Sequence, residues 1–412
     1  MKHDSLQPQL ENCRSSEAQA FGSAIPPIDA CSNSTTAGPQ PARFGRATSV
    51  RHYAAGGREH GGGIGRLIGY ILESADQAGT HHIVTDTRGQ FWSAPTSLVR
   101  LFAAVLLMVR DRIVVPHCIH HFHIAGRGST IRKLILTAVA RGLGCVYVLH
   151  LHDYDYATDF ARRSPRLQSF VRRMFSRADR VIALGQRDRD TLVGLLGVDP
   201  DRIAVIHNCV PDPGPRRYPR QTQPTILFLG RLCERKGVPE LLAALGSKAL
   251  AGLEWKAILA GDGLVEDYRR QAAAMGLSEK VTMPGWLGEA ETKELCARAD
   301  ILVLPSHAEG MAMAVLEGLA HGLAVVTTRV GAHAEAISED AVIFVPVGDA
   351  VALADALARL INESGTRELL STEGRLLYLS RFSMPVYMRL INELYDATAR
   401  NQKVTDVRGH PA

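Results

Sequence analysis

The chain has 412 residues, of which 46% are hydrophobic and 22% are charged, with a formal net charge of +5. This composition is that of an ordinary globular protein, and the length indicates two domains or three. The charge excess is too small to indicate nucleic-acid binding, but it suits an anionic substrate or a membrane surface.

The first 44 residues show little apolar periodicity and contain turn-forming pairs such as Pro26-Pro27 and Gly38-Pro39. We predict a disordered leader here and exclude it from the fold. Because no basic segment precedes an apolar run, the sequence predicts no signal peptide. The seven cysteines form no C-x-x-C pair, which argues against a disulfide framework or a zinc site and indicates a reducing compartment.

The next part of the chain alternates between strand-like and helical patterns. Strands are predicted at residues 48–53, 82–85, 113–116, 146–151, 180–184 and 203–206, and helices at 67–78, 129–141 and 167–175. The apolar stretch at 98–115 is interrupted by Arg110-Asp111-Arg112. We therefore predict a buried helix that leads into the strand at 113–116, rather than a membrane span.

A proline-rich break at 211–219 separates this part from a second alternation, with strands predicted at 225–229, 256–259, 280–283, 301–304, 324–327 and 341–345. Repeated β/α alternation predicts an α/β protein with two Rossmann-like, doubly wound domains that face a central cleft. The predicted domains cover residues 45–215 and 216–380. A C-terminal helix within 381–412 is expected to pack back on the first domain, before a short tail.

Two glutamates eight residues apart, Glu309 and Glu317, follow the predicted strand at 301–304. The first falls in the loop at the strand's end, and the second falls inside the next short helix. A helix N-terminus at this edge of a parallel sheet offers N–H groups to an anion. Carboxylates beside such a site suit a nucleotide sugar, although surface glutamates on a plain β/α unit are the simpler alternative.

Two glycine-containing loops supply further candidates. The loop at 230–237 reads Gly-Arg-Leu-Cys-Glu-Arg-Lys-Gly, and its cations could neutralise a diphosphate leaving group, with a solvated basic loop as the alternative. The loop at 61–66 reads Gly-Gly-Gly-Ile-Gly-Arg. It does not follow G-x-G-x-x-G and lacks an acidic residue at the dinucleotide spacing, so it does not predict an NAD site.

Together these strings resemble the retaining, metal-independent GT-B glycosyltransferases of family 4, the glycosyl transferases group 1, from the region of Gly61 to the region of Tyr395. The subgroup resembled acts in exopolysaccharide and cell-surface glycan synthesis. The resemblance implies a GT-B fold and transfer of a sugar from a nucleotide-diphosphate sugar to a glycan or lipid-linked acceptor. It also implies that no cofactor and no metal take part.

Roles for individual residues follow from the same resemblance. Arg231 and Lys236 would bind the diphosphate, Glu309 the donor sugar, and Glu317 the ribose. His152, at the end of the strand at 146–151, would lie near the transferred sugar and fits better than His150. The other donor-binding candidates are Gly63, Gly65, Arg66, Gly230, Trp286, Gly310 and the N–H groups of Met311 and Ala312.

The histidines at 117, 120, 121 and 123 raise the alternative of a metal site. We favour a strand-loop segment because no carboxylate or cysteine completes a typical ligand set in the sequence. The string at 205–211 matches the family's Asn-Gly-Val strand end, except that Cys209 replaces the glycine. We interpret Asn208 as structural.

Two other functions stay open on the sequence: another GT-B sugar enzyme, such as a phosphorylase or epimerase, and a nucleotide-sugar-binding or scaffold protein without catalysis. Retention of both glutamates and both cations argues against the second. The helix around 160–175 carries Arg162-Arg163 and Arg172-Arg173 beside apolar residues, which predicts contact with an anionic membrane. We therefore expect a cytoplasmic enzyme that associates peripherally with the inner face of the membrane.

Overall fold

The computed structural model describes residues 49–75, 80–90, 93–216, 218–219 and 223–408, and the predicted leader at 1–44 lies outside them. In these residues, twelve strands form two six-stranded sheets. The first sheet contains β1 (Ser49–Ala54), β2 (His81–Asp86), β3 (Ile119–Ile124), β4 (Tyr147–Leu151), β5 (Arg180–Ala183) and β6 (Ile203–Val205). The second contains β7 (Thr225–Leu229), β8 (Lys256–Ala260), β9 (Val281–Gly285), β10 (Ile301–Leu304), β11 (Ala324–Thr328) and β12 (Val342–Val345).

Both sheets have a doubly wound strand order. The first runs β2-β1-β3-β4-β5-β6 and the second runs β12-β11-β10-β7-β8-β9, and the paired strands are parallel. Central strands such as β10 are fully buried, which explains their continuous apolar sequence. The predicted α/β architecture with two Rossmann-like sheets is confirmed.

Helices connect the successive strands. The first half contains α1 (Gly62–Ala75), α2 (Ala94–Val114), α3 (Arg127–Gly142), α4 (Tyr156–Ala161), α5 (Pro165–Ser176) and α6 (Gln186–Asp190). The second half contains α7 (Val238–Leu245), α8 (Val265–Ala274), α9 (Glu289–Arg298), α10 (Met313–Ala320), α11 (His333–Ala336) and α12 (Ala350–Asn362). Two longer helices end the described chain, α13 (Ser364–Arg381) and α14 (Met384–Arg408).

The predicted strand at 113–116 is wrong, because α2 continues to Val114 and the next strand is β3. The charged interruption does not end the helix, since Asp111 lies on its buried face and pairs with Arg51 of β1. The sequence of β3, Ile-His-His-Phe-His-Ile, is fully buried. The histidine string at 117–123, for which we favour a strand-loop segment, therefore forms most of this strand, which is as buried as its neighbours.

The helix α2 was expected to be buried, but only one of its sides is. An apolar stripe on the opposite side is exposed, formed by Leu98, Val99, Phe102, Leu106 and Ile113. Among the described residues, no helix combines the length and the hydropathy that a membrane span needs.

The helix predicted to lie on a membrane, now α5 with the preceding α4, turns its apolar side to the core. Phe160, Val171 and Phe175 are buried, and Arg163 pairs with Asp159. Phe170 of α5, by contrast, is exposed. Among the described residues of the first half, the largest group of exposed apolar side chains is therefore on α2, and α5 contributes only Phe170.

The C-terminal helix α14 contacts α1 of the first half. The Tyr395 hydroxyl lies 2.7 Å from His121 Nδ1 in β3. One continuous apolar cluster also runs from Val148 through Val210 to Phe228, so the two halves share a core. These contacts make the first sheet depend on the last helix of the chain.

Candidate active site

A cavity of about 390 Å³ opens at the carboxyl ends of the strands, where ligands bind in sheets of this kind. The first half contributes the start of α1, and the second half contributes the loops that follow β7, β8, β9 and β10. Most of the predicted donor-binding residues line it: Gly63, Arg66, Gly230, Arg231, Lys236, Trp286, Glu309, Met311, Ala312 and Glu317. The fold thus gathers residues that are up to 254 positions apart, the separation of Gly63 and Glu317.

Glu309 is a buried carboxylate of this cavity, with 7% of its surface exposed. Its Oε1 lies 2.5 Å from Lys236 Nζ and 3.4 Å from Arg235 Nη1. Arg235 also donates to the Ala308 carbonyl at 2.6 Å and stacks on the Tyr154 ring of the first half. The carboxylate is therefore held by two cations of the basic loop.

The turn that carries Lys236 is fixed by a close approach of two backbones. Gly237 has φ +71, and a β-carbon at this position would lie 2.1 Å from the Pro305 carbonyl oxygen. Only glycine combines this conformation with this contact. The sequence therefore places Lys236 directly beside the end of β10 and the loop at 305–312 that carries Glu309, the glutamate loop.

The glutamate loop is held from both halves. Asn208 Nδ2, from the first half, donates to the Met311 carbonyl at 3.1 Å, which agrees with its structural interpretation. The Ala312 N–H donates to His333 Nε2 at 3.0 Å. Burial lowers the pKa of His333 to about 4, so this nitrogen can accept a hydrogen bond at neutral pH.

The hydrogen bond from the Ala312 N–H to His333 differs from the prediction for this group. The Ala312 N–H was predicted to face the donor sugar together with the Met311 N–H, but in this structure the His333 ring already accepts it. The sequence showed no local signal for His333, because it lies 21 residues from Ala312 on the other side of β11.

Glu317, inside α10, forms an ion pair with Arg66 of α1 that joins the two halves. The Glu317 side chain is 10% exposed and the Arg66 side chain is 40% exposed. The second carboxylate oxygen, Oε2, has no hydrogen-bond partner within the described parts of the chain. It is the acceptor that a ligand hydroxyl could use.

Two glycines of the loop at 61–66, Gly63 and Gly65, have different surroundings. Gly63 faces the second half, because a β-carbon there would lie 3.8 Å from Met313 Cγ at the start of α10. Gly65 was predicted to bind the donor, but it packs beneath its own loop instead. A β-carbon on Gly65 would lie 2.6 Å from the Arg58 carbonyl oxygen, so its glycine serves packing and not the cavity.

His152 follows β4 and lies next to the glutamate loop. A β-carbon on Gly310 would be 3.4 Å from the His152 carbonyl oxygen. The His152 ring points to the first sheet, with Nε2 2.9 Å from His123 Nδ1. Burial, and then the charge of Lys133, lower the pKa of His152 to about 3, so its ring is neutral at physiological pH.

One cation of the site was missed in the sequence. Arg235 stands inside the basic string, yet only Arg231 and Lys236 were assigned. In the structure Arg231 is exposed, whereas Arg235 contacts the Glu309 carboxylate. The sequence shows that the loop contains three cations, but it does not show which of their side chains point toward Glu309.

Two family descriptions match the chain, "Glycosyltransferase Family 4" over residues 61–212 and "Glycosyl transferases group 1" over residues 223–363. The GDP-mannose:cellobiosyl-diphosphopolyprenol alpha-mannosyltransferase of Xanthomonas oryzae pv. oryzae is 30% identical over 288 residues, covering 67% of this chain and 73% of the relative. The alpha-D-kanosaminyltransferase of Streptomyces kanamyceticus is 24% identical over 284 residues, covering 64% and 73%.

Solved structures share the architecture. A glycosyltransferase from Rickettsia africae ESF-5 superimposes with a TM-score of 0.71 at 16% identity, over 86% of this chain and 99% of that one. Anabaena Alr3699/HepE in complex with UDP gives a TM-score of 0.64 at 17% identity, over 85% and 100%.

Two doubly wound sheets with a cleft lined by loops from both define a GT-B glycosyltransferase. The chain belongs to the glycosyl transferases group 1, and this part of the resemblance predicted from its motifs is confirmed. Its relatives support a hexosyltransferase and do not favour the phosphorylase, epimerase or non-catalytic alternatives.

Proposed function

We propose that this enzyme transfers a sugar from a nucleotide-diphosphate sugar to a glycan or lipid-linked acceptor, with retention of anomeric configuration, during synthesis of a polysaccharide or cell-surface glycan. The observation that carries the proposal is the Lys236–Glu309 contact in a cavity that Arg231 and Glu317 also line. Such a donor needs cations for its diphosphate and carboxylates for its hydroxyls, and this cavity offers both.

The names of two similar proteins support this choice of substrates. The Xanthomonas relative is named for a GDP-mannose donor and a diphosphopolyprenol-linked acceptor. The Anabaena structure was solved with UDP.

The diphosphate would bind at the loop that follows β7. Negative charge accumulates on this leaving group as the bond to the sugar breaks. Arg231 supplies a planar fork and Lys236 a mobile point charge, and both would stabilise the transition state more than the ground state. With the diphosphate held on one side of the sugar, an acceptor hydroxyl that attacks from the same side retains the configuration.

Glu309 and Glu317 would bind different hydroxyl groups of the donor. Glu309, with the Met311 N–H, would bind hydroxyls of the transferred sugar near His152. Glu317 would exchange its Arg66 partner for the ribose hydroxyls, which frees the Arg66 guanidinium to turn toward the diphosphate. Trp286, exposed at the rim of the cavity, would flank the base. Closure of the two halves would limit hydrolysis of the donor.

Side-chain cations would take the place of a divalent ion at the diphosphate, so the proposal includes a reaction that needs no added Mg²⁺ or Mn²⁺. The test is a thermal-shift screen of nucleotide sugars, without divalent ions, on the wild type and on Glu317→Gln. A true donor should raise the Tm of the wild type through linkage and raise that of the variant less. An unchanged Tm for every nucleotide sugar, with no transfer detected, would exclude the proposal.

The surface that would contact a membrane is on α2 and not on α5. The exposed stripe of α2 contains Phe102, which is 65% exposed, and the same helix carries exposed Arg100 and Arg110. Apolar residues with arginines at their border suit a helix that lies in the headgroup region of an anionic membrane. Such docking would bring the acceptor half of the enzyme to a lipid-linked substrate at the cytoplasmic face.

A further inference from the structure

The first sheet contains six histidines that are buried or nearly so and lie together. They come from four neighbouring strands or the residues that follow them: His52, His82, His121, His123, His150 and His152. In β3 and β4 they alternate with apolar residues, so the histidines share one face of the sheet. A face of a parallel sheet is normally filled by aliphatic side chains, and here imidazole rings stack on each other instead.

Four of these rings form a continuous chain of nitrogen contacts. His82 Nδ1 lies 2.9 Å from His52 Nε2, His52 Nδ1 lies 3.0 Å from His123 Nε2, and His123 Nδ1 lies 2.9 Å from His152 Nε2. Each contact joins an Nδ1 to an Nε2, so neutral rings of a single tautomer satisfy the whole chain. The chain runs from the strand at the sheet's edge to the residue beside the glutamate loop.

His150 does not belong to this chain. It is fully buried, and neither of its ring nitrogens has a hydrogen-bond partner in the described residues. Its ring lies 3.8 Å, centroid to centroid, from the His152 ring. An imidazole with both nitrogens unpaired in a core is costly, which indicates that something other than a protein group binds it.

We propose that His123, His150 and His152 bind one divalent transition-metal ion of the Zn²⁺ class. One ligand nitrogen from each residue lies within 4.8 Å of the other two. Imidazole nitrogens suit Zn²⁺, Cu²⁺ or Ni²⁺, and a set without carboxylates excludes Mg²⁺ and Ca²⁺. Three histidines leave a fourth position open, and the partly exposed His152 lies where an ion could enter.

The other histidines of the chain then support the ligands. A histidine that binds a metal through one nitrogen usually hydrogen-bonds through the other. If His123 binds through Nδ1, its Nε2 donates to His52 Nδ1, and His52 in turn donates to His82 Nδ1. Nitrogens of two ligands on one tetrahedral zinc lie roughly 3.3 Å apart for Zn–N bonds of 2.0–2.1 Å. The 2.9 Å contact between His123 and His152 would therefore open by only a few tenths of an ångström.

A neighbouring group of potential ligands does not form an equivalent site. Asp111, Cys118 and His120 also bring ligand atoms together. However, both oxygens of Asp111 bind the Arg51 guanidinium. Burial raises the pKa of the Cys118 thiol to about 12, so it is not a thiolate at neutral pH. Asp111 and Cys118 are therefore not available to bind a metal, whereas both ring nitrogens of His150 lack a hydrogen-bond partner in the described residues.

The test is the metal content of full-length protein that is prepared without a polyhistidine tag, loaded with Zn²⁺ and then desalted. The wild type should retain about one equivalent by elemental analysis. His150→Leu and His123→Gln should retain almost none, whereas the exposed His117→Gln should keep the wild-type amount. No bound metal in the wild type, or equal content in wild type and His150→Leu, would overturn the proposal and leave a hydrogen-bonded histidine chain.

A second measurement does not depend on how well the variants fold. Co²⁺ added to metal-free wild type should give the visible absorption bands of a tetrahedral nitrogen site, and Zn²⁺ should displace them. The Tm of the wild type should rise with Zn²⁺, while that of His150→Leu should not change. Absence of the Co²⁺ bands would contradict the site, and neither measurement relies on transferase activity, so the two proposals fail independently.

Discussion

Arg231 and Lys236 occupy one loop but different environments, since Arg231 is exposed and Lys236 is largely buried against Glu309. We expect Arg231→Ala and Lys236→Ala each to lower kcat by about 10²–10³, or roughly 2.7–4 kcal/mol, because each removes a cation from the developing charge of the leaving group. Steady-state kinetics with the donor identified by thermal shift measure this. The exposed Lys256→Ala, at the opposite end of β8, is the matched control, and near-normal turnover in both loop variants would refute the assignment.

A second residue-scale expectation concerns Lys133 of α3, which is fully buried and donates to Thr87 Oγ1 at 3.2 Å. Burial lowers its pKa to about 7. The unfolded chain, with a lysine pKa of about 10.4, binds more protons than the folded one between these values. The stability that this residue contributes is therefore present above the unfolded pKa and lost as pH falls toward 7.

Urea unfolding between pH 7 and 10 measures that effect. Relative to Lys133→Met, the wild type should gain stability as pH rises, with a slope of at most about 1.4 kcal/mol per pH unit. Subtracting the variant removes the contribution of the other titrating groups. Parallel pH profiles for the two proteins would show that Lys133 titrates normally.

At the scale of elements, α2 is the helix whose surface departs most from expectation. We expect Phe102→Asp with Leu106→Asp to abolish co-sedimentation with anionic vesicles, because the charges prevent burial of the apolar stripe in the headgroup region. Leu369→Asp, at an equally exposed leucine of α13, should bind like the wild type. High salt should weaken wild-type binding through screening. Equal sedimentation with neutral and anionic vesicles would count against this surface.

The sequence patterns of α2 and β3 do not by themselves show which of their sides are buried. The sequence around 98–116 has enough apolar residues for a buried helix, but burial depends on which neighbours the helix meets. In β3 the difference runs the other way, because polar residues are buried. Its histidines are polar by type and buried by position, and only the packing of the adjacent strands makes that face an interior.

At the scale of the whole molecule, α14 ties the end of the chain to the first sheet. We expect Tyr395→Phe to lower the free energy of unfolding by about 1–3 kcal/mol, because it leaves the buried His121 Nδ1 unpaired. Tyr387 on the same helix is also buried, but its hydroxyl has no hydrogen-bond partner in the described chain. Tyr387→Phe should therefore be close to neutral, and equal losses for the two variants in urea unfolding would contradict the argument.

The sequence by itself determined the fold class, the position of most strands and the family, because strand periodicity and the strings around 231–237 and 305–317 are local properties of the chain. Tertiary structure alone decided that Arg235 meets Glu309, that Arg66 pairs with Glu317, and that Gly65 packs away from the cavity. It also brought together six histidines from four strands. These contacts join residues far apart in sequence, and the direction of each side chain depends on backbone turns and neighbouring strands that no local pattern encodes.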